Sequence, residues 1–238
     1  MQIGIWTYLP FFSDLIAQDP DIGILIIEIL PISMRMTSPP LSRNANCRAI
    51  SRIIASLEIS RLTLVSHSYG TILSTHILHD PLLSPLVSSI IFIDPITFLL
   101  HHPSVAFNFV YRTPRAANEW AMWYFASRDA DISRTLSRHF FWTENILWKE
   151  ELGGRRVGVV LSGDDQIVNT EEVRNYLTGE EDMSRRWEND GLEVLFYPEL
   201  DHGTIFCTKE RRKHMLDMIH RFVRLDWDMS WAHAIQKY

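Results

Sequence analysis

Cysteine is nearly absent from this chain. Its two thiols, Cys47 and Cys207, stand far apart and in no metal-ligand spacing. A disulfide framework and a cysteine-based metal site are therefore not expected, and a reducing compartment is the default. Excess basic charge is absent too. Lys and Arg total 23 against 29 Asp and Glu, a formal net charge of -6, which favours neither nucleic acid nor an acidic membrane surface as a partner. Long apolar runs are missing as well. The segment from Ile22 to Met34 is broken by Glu28 and Pro31 and is too short to span a bilayer. The first ten residues carry no basic region and no cleavage pattern. The expectation is a soluble, cytoplasmic protein with no membrane signal.

What is present fits an ordinary globular chain. Hydrophobic residues make up 46% and charged residues 22% of 238 residues, enough to bury a sizeable core. No repeat, low-complexity stretch or interior linker divides the chain, so residues 1–238 are expected to form one domain. Short β-branched runs alternate with amphipathic stretches. Ile22 to Leu30, Leu62 to Val65, Ser88 to Ile93, Val157 to Leu161 and Leu192 to Tyr197 read as strands. Leu9 to Ala17, Ala45 to Leu57, Thr71 to His79, Glu171 to Leu177 and Lys209 to Leu225 read as helices with one apolar face. Strand–helix alternation of this kind predicts a mostly parallel sheet. Glu28 is the odd residue in the first run, and pairing with a cation such as Arg35 accounts for it.

Between about 99 and 152 the pattern changes. Strand runs vanish and aromatic residues crowd in, Trp120, Trp123, Trp142 and Trp148 among them. Helices are expected at 118–127, 131–139 and 143–151. Most of these aromatics serve packing; some are expected to wall an apolar pocket.

The stretch Leu62-Thr63-Leu64-Val65-Ser66-His67-Ser68-Tyr69-Gly70 organises the rest. A buried strand runs into a turn of small residues around Ser68, and a helix follows. Such a turn lifts the central hydroxyl above the sheet edge and aims the Tyr69 amide and the helix N-terminus at a reacting oxygen. Here the chain resembles the α/β-hydrolase superfamily, with Ser66 at the place of the more usual first glycine. Longer segments (ILPISMR, LVSHSYGT, NFVYRTPRAANEW, YFASRDADIS, RHFFWTENILWKEEL, LSGDDQIV) are similar to a group of fungal α/β-hydrolase-domain proteins across nearly the whole chain. The resemblance implies an α/β-hydrolase fold, a helical cap at about 99–152, and a serine hydrolase site without metal or cofactor.

A serine hydroxyl is a weak nucleophile until a base takes its proton, and an imidazole does this near neutral pH once a carboxylate fixes its tautomer. In the superfamily the chain order is nucleophile, acid, histidine, each just past a strand. Ser68 follows the LTLV run and His202 follows LEVLFY in a Leu-Asp-His-Gly turn. Asp164 and Asp165 both follow VGVVL, and Asp94 ends the SSIIFI strand. The family pattern sets the acid two residues before an Ile-Val pair, which selects Asp165. Asp94 stays a rival, since some members use that earlier position. His67 is expected to serve packing.

One departure stands out. Members of the group carry a His-Gly loop, after an upstream strand, that supplies a second oxyanion donor. By this resemblance the chain is expected to open within that loop and to have no counterpart of the strand that normally lies between the Ile22 run and the Leu62 run. A gap at the sheet centre, or a new pairing there, is therefore expected. Two function classes follow: a serine hydrolase acting on a small, partly apolar acyl ester or thioester, with acyl transfer as a variant, or a hydrolase-fold protein that only binds. Substrate identity and oligomeric state are not encoded in any motif.

Overall fold

The computed structural model describes residues 4–181 and 183–235, the side chains of 227–235 excepted. A five-stranded sheet forms its centre: β1 (Leu62–His67), β2 (Val87–Ile93), β3 (Arg156–Ser162), β4 (Arg186–Asn189) and β5 (Leu192–Tyr197), in spatial order β1-β2-β3-β5-β4. The pairs β1–β2, β2–β3 and β3–β5 are parallel, and β4 adds an antiparallel edge. Alternation along each strand splits the core in two. Ile90 and Phe92, with Val157, Val159 and Leu161, point to one side, where Ile50 and Ile54 of α2 (Arg43–Ser56) and Ile72 and Ile77 of α3 (Gly70–Leu78) cover them. Ile91, Ile93, Val160 and Leu195 point to the other, against Phe11 and Leu15 of α1 (Leu9–Gln18) and Met215, Met218, Ile219 and Phe222 of the last helix, Lys209–Ile235. A sheet buried on both faces needs continuous rather than alternating apolar strands, which is what the β2, β3 and β5 sequences are.

The sequence expectation fails in one informative place. Ile22 to Leu30 is not a strand. Its first eight residues have no regular structure, and Leu30 opens a short 3-10 turn, Leu30–Ile32. Among the described residues, no amide from Gly23 to Leu30 donates to a backbone carbonyl. The run is β-branched enough for a doubly covered strand, but a strand needs a ladder partner. β1 is the sheet's edge and, among the described residues, pairs only with β2. Between its free side and the Ile22 run lies a cavity of about 1390 Å³ lined by Ile24, Ile26, Leu62 and Leu64, among others. Of the two expected outcomes, a gap or a new pairing, the gap is the one present, and it removes the partner that the Ile22 run requires. Glu28 does meet Arg35, at 3.4 Å.

Smaller corrections concern the aromatic segment and the sheet edge. Two of the three expected helices form, as Ala117–Met122 continuing into a π-helical turn at Trp123–Ser127, and as Ala130–Arg138. The third breaks into Trp142–Asn145 and Lys149–Leu152. Ile146 turns extended so that it and Leu147 can enter the core, and the Leu147 amide bonds to the Thr97 carbonyl. A helical stretch from Ser104 to Tyr111 and the edge strand β4 were not expected. The segment is tied to the strand ends by Asn108 to the Ile167 carbonyl (3.0 Å), Arg112 to the Gln166 carbonyl (2.8 Å) and Asn118 to Asp201 (3.1 Å). Among the described residues, no helix is long and apolar enough to cross a membrane.

The gap makes a differential prediction about stability. Phe92 is 0% exposed in the sheet centre, whereas Ile26 is 41% exposed at the cavity wall. Phe92→Ala is expected to cost about 3–5 kcal/mol and Ile26→Ala about 1 kcal/mol or less, read as denaturant midpoints at constant slope. Equal losses would mean that the Ile22 run is packed as firmly as the central strands.

Candidate active site

Ser68 sits where β1 turns into α3. Its φ of 51° is the left-handed conformation, which costs a non-glycine residue of order 1–3 kcal/mol and persists only where the surroundings hold it. Here the Ser68 amide bonds to the Ile93 carbonyl (3.0 Å), while the Ser68 carbonyl takes the Thr71 amide (3.0 Å) and hydroxyl (2.6 Å). A Cβ on Gly70 would stand 3.8 Å from that of Ser66, an ordinary contact, so small residues on both sides of the turn are accommodated without strain. Tyr69 is the N-cap of α3. Among the described residues its amide has no hydrogen-bond partner, so it stays available beside the Ser68 hydroxyl.

The structure brings the three residues singled out from the sequence together. The Ser68 hydroxyl lies 2.8 Å from His202 Nε2, and His202 Nδ1 lies 2.7 Å from an oxygen of Asp165. A proton on Nδ1, facing the carboxylate, leaves Nε2 as acceptor for the serine hydroxyl. The other Asp165 oxygen takes the amides of Ile167 (2.7 Å) and Val168 (3.0 Å), which fixes the carboxylate's orientation. The Asp165 loop is itself pinned to the histidine's strand by Gly163 N to the Tyr197 carbonyl (2.8 Å) and Asp164 N to the Leu200 carbonyl (3.0 Å). Of the two neighbouring acids, Asp165 is the one that reaches the ring.

Asp94 does not bond to His202, yet it is the most deeply placed acid of the site, fully buried. It too is left-handed, with φ 42°. Its oxygens accept from the Ser162 amide (2.9 Å), the Ser162 hydroxyl (3.1 Å) and the Gly203 amide (2.7 Å). Asp94, Asp165 and His202 each place one polar atom within 4.8 Å of the others, a spacing compatible with a cation, and all three groups already hold hydrogen bonds within the protein.

His67, expected to pack, is buried against the His202 ring (centroids 5.1 Å apart), Phe206 and Tyr8, whose hydroxyl lies 2.7 Å from His67 Nδ1. Tyr8 is a residue that sequence reasoning passed over; no local motif marks it. Gly203 completes the wall. Its φ is 71°, and a Cβ there would press to 3.1 Å from the His67 ring.

Electrostatics separate the two imidazoles. Burial pushes His67 well below the ordinary histidine value, and the neighbouring His202 pushes the same way, so His67 is neutral. Burial also presses His202 downward, but the charge and hydrogen bond of Asp165, with a further contribution from Asp94, carry it above the ordinary value. Burial, reinforced by Asp165, raises Asp94 to about 6 against the pull of His202, Gly203 and Ser162. Burial lifts the Tyr69 phenol to about 12, so it stays protonated.

The cavity that opens at the sheet gap reaches Ser68, Tyr69 and His202. Above them it is walled by Val105, Phe109, Phe140 and Trp142 from the aromatic segment and by Ile96 and Leu100.

No family model and no curated protein matches the chain, so the similarity to fungal proteins gains no support from these comparisons. Solved structures do match. A meta-cleavage product hydrolase from Pseudomonas fluorescens IP01 superposes with a TM-score of 0.56 at 14% identity, over 92% of this chain and 86% of that one. An alpha/beta hydrolase family protein from Desulfitobacterium hafniense gives 0.56 at 12%, over 89% of each chain. A carboxylesterase structure from Nitrososphaera gargenis gives 0.54 at 15%, over 93% and 86%. With a parallel sheet, flanking helices and a strand–turn–helix at Ser68, these likenesses establish that the chain has the α/β-hydrolase fold.

Proposed function

We propose that this protein is a serine hydrolase that cleaves an ester or thioester of a partly apolar acyl group through an acyl-enzyme. The observation that carries the proposal is the His202 imidazole held between the Ser68 hydroxyl and the Asp165 carboxylate. In this mechanism Nε2 takes the Ser68 proton as Oγ attacks the acyl carbon, and the imidazolium so formed is stabilised by Asp165. The Tyr69 amide and the N-terminus of α3 face the oxygen that gains charge. The imidazolium returns its proton to the leaving alcohol or thiol. Water, activated by the same nitrogen, then releases the acid. An acceptor alcohol in place of water gives acyl transfer by the same steps. The fold itself is shared by many activities, so the neighbours lend analogy only. The aromatic residues at 99–152 act in this scheme as a cap over an apolar acyl site.

A second reading has one observation in its favour. The open gap beside β1 leaves the Ile22 run without a ladder, and among the described residues the Tyr69 amide is the one individual oxyanion donor singled out. A site lacking one donor runs about a hundredfold to a thousandfold slower, which in the extreme leaves a protein that binds without turning over.

Kinetics on short p-nitrophenyl esters separate the two. Weak but measurable turnover is expected, lost to background in Ser68→Ala and reduced about ten-thousandfold in Asp165→Asn. A Ser68→Ala variant as active as the parent would remove the hydrolase proposal.

The pH dependence follows from the charge around His202. The base must be neutral to accept the serine proton, and Asp165 holds it in the charged form to higher pH than usual. Activity is therefore expected to rise with pH through a midpoint above the ordinary histidine value of 6.5. A kcat/KM profile with its acid limb centred below that value would contradict the assigned electrostatics.

A further inference from the structure

Asp94 directly follows β2, and its carboxylate's hydrogen bonds all run to two other strand ends. One oxygen takes the Ser162 amide; the other takes the Ser162 hydroxyl and the Gly203 amide. Ser162 stands three residues before Asp165, and Gly203 directly follows His202. We propose that Asp94 is a positioning residue for the acid–base pair: its buried carboxylate fastens the Asp165 loop to the His202 turn and sets a second negative charge beside the imidazole. The kinetic part of this proposal rests on the hydrolase reading; the geometric part does not.

Two features set Asp94 apart from a carboxylate that merely caps a turn. A turn cap satisfies amides of its own segment, whereas Asp94 accepts nothing local and joins residues 68 and 109 positions away. It is also fully buried and held in a left-handed backbone conformation at the site, and such outliers persist where the surroundings over-determine them. The groups facing it come from every neighbouring element. His67 at the end of β1 has Nε2 at 3.8 Å, Asp165 stands beyond β3, and His202 stands beyond β5. Tyr8 of the 3-10 turn ahead of α1 reaches this set through His67. His67 is neutral, so the net field that Asp94 adds at His202 is that of one carboxylate reinforcing another.

The roles of the two acids differ in consequence. Asp165 touches the ring and selects its tautomer. Asp94 touches the backbone on either side of the acid–base contact and acts through it. Loss of Asp94 should loosen the Asp165–His202 contact and lower the affinity of His202 for its proton.

The test is Asp94→Asn, near-isosteric and uncharged, followed by NMR of the His202 ring. Its titration midpoint is expected to fall below that of the parent, and the low-field Nδ1 proton to broaden as the contact with Asp165 loosens. In the kinetic arm kcat is expected to fall roughly tenfold to a hundredfold at unchanged KM, with the acid limb moved to lower pH. A role confined to folding would scale the whole profile without moving its midpoint. A folded Asp94→Asn protein with the parental His202 midpoint overturns the proposal. If Asp94→Asn does not fold, Ser162→Ala carries the test. It keeps the charge, removes the 3.1 Å bond, and is expected to broaden the Nδ1 resonance; an unchanged resonance overturns the fastening role. Both NMR readouts are made without substrate. A protein that turns over nothing would therefore count against the hydrolase reading and leave the Asp94 result standing on its own.

Discussion

An imidazole held between a hydroxyl and a carboxylate makes demands on three separate parts of the chain. Ser68, Asp165 and His202 stand beyond the ends of β1, β3 and β5, and their contacts of 2.7 and 2.8 Å require those ends to be fixed to a fraction of an ångström. The parallel sheet supplies this. Parallel strands bring their C-terminal ends to one edge, and continuous apolar sequences bury β2, β3 and β5 on both faces so that the edge does not shift. β2 ends between the others, and its last residue and the one after it serve all three. The Ile93 carbonyl holds the Ser68 amide, and the Asp94 carboxylate holds Ser162 and Gly203.

The strain at this edge is the counterpart of that service. Two non-glycine residues, Ser68 and Asp94, are left-handed within one site, each held by hydrogen bonds to a neighbouring strand end. Nearby, the expected sheet is incomplete. The Ile22 run lies across a cavity from β1, and among the described residues no amide from Gly23 to Leu30 donates to a backbone carbonyl. The edge that carries Ser68 is firm toward β2, β3 and β5, and the cavity beside β1 reaches Ser68 and Tyr69.

Much of this was legible in the residues. The strands at Ser88, Val157 and Leu192 are short, mostly apolar runs whose burial needs no knowledge of distant partners. The order of Ser68, Asp165 and His202 after such runs placed the candidate site, and Asp165 rather than Asp164 or Asp94 meets the imidazole. The Ile22 run misled because propensity is local and a ladder is not: the run has the composition of a strand, but the neighbour that would make it one is missing. The helix expected at 143–151 failed for a related reason, since Ile146 and Leu147 gain more by entering the core than by continuing a turn. The Asp94 and Tyr8 contacts link residues 59 to 109 positions apart, and no local pattern encodes such pairs.

Whether the edge built around His202 activates Ser68 is the point on which function turns. A fluorophosphonate reacts with a serine only when a base withdraws its proton and donors receive the charge, so it reports activation without any assumption about substrate. Mass spectrometry of the purified protein after exposure to such a probe is the direct measurement. The expected result is one adduct per chain, mapped to Ser68 and lost in His202→Ala. Folded protein that stays unlabelled, or that is labelled elsewhere, would contradict the assignment of Ser68 as an activated nucleophile.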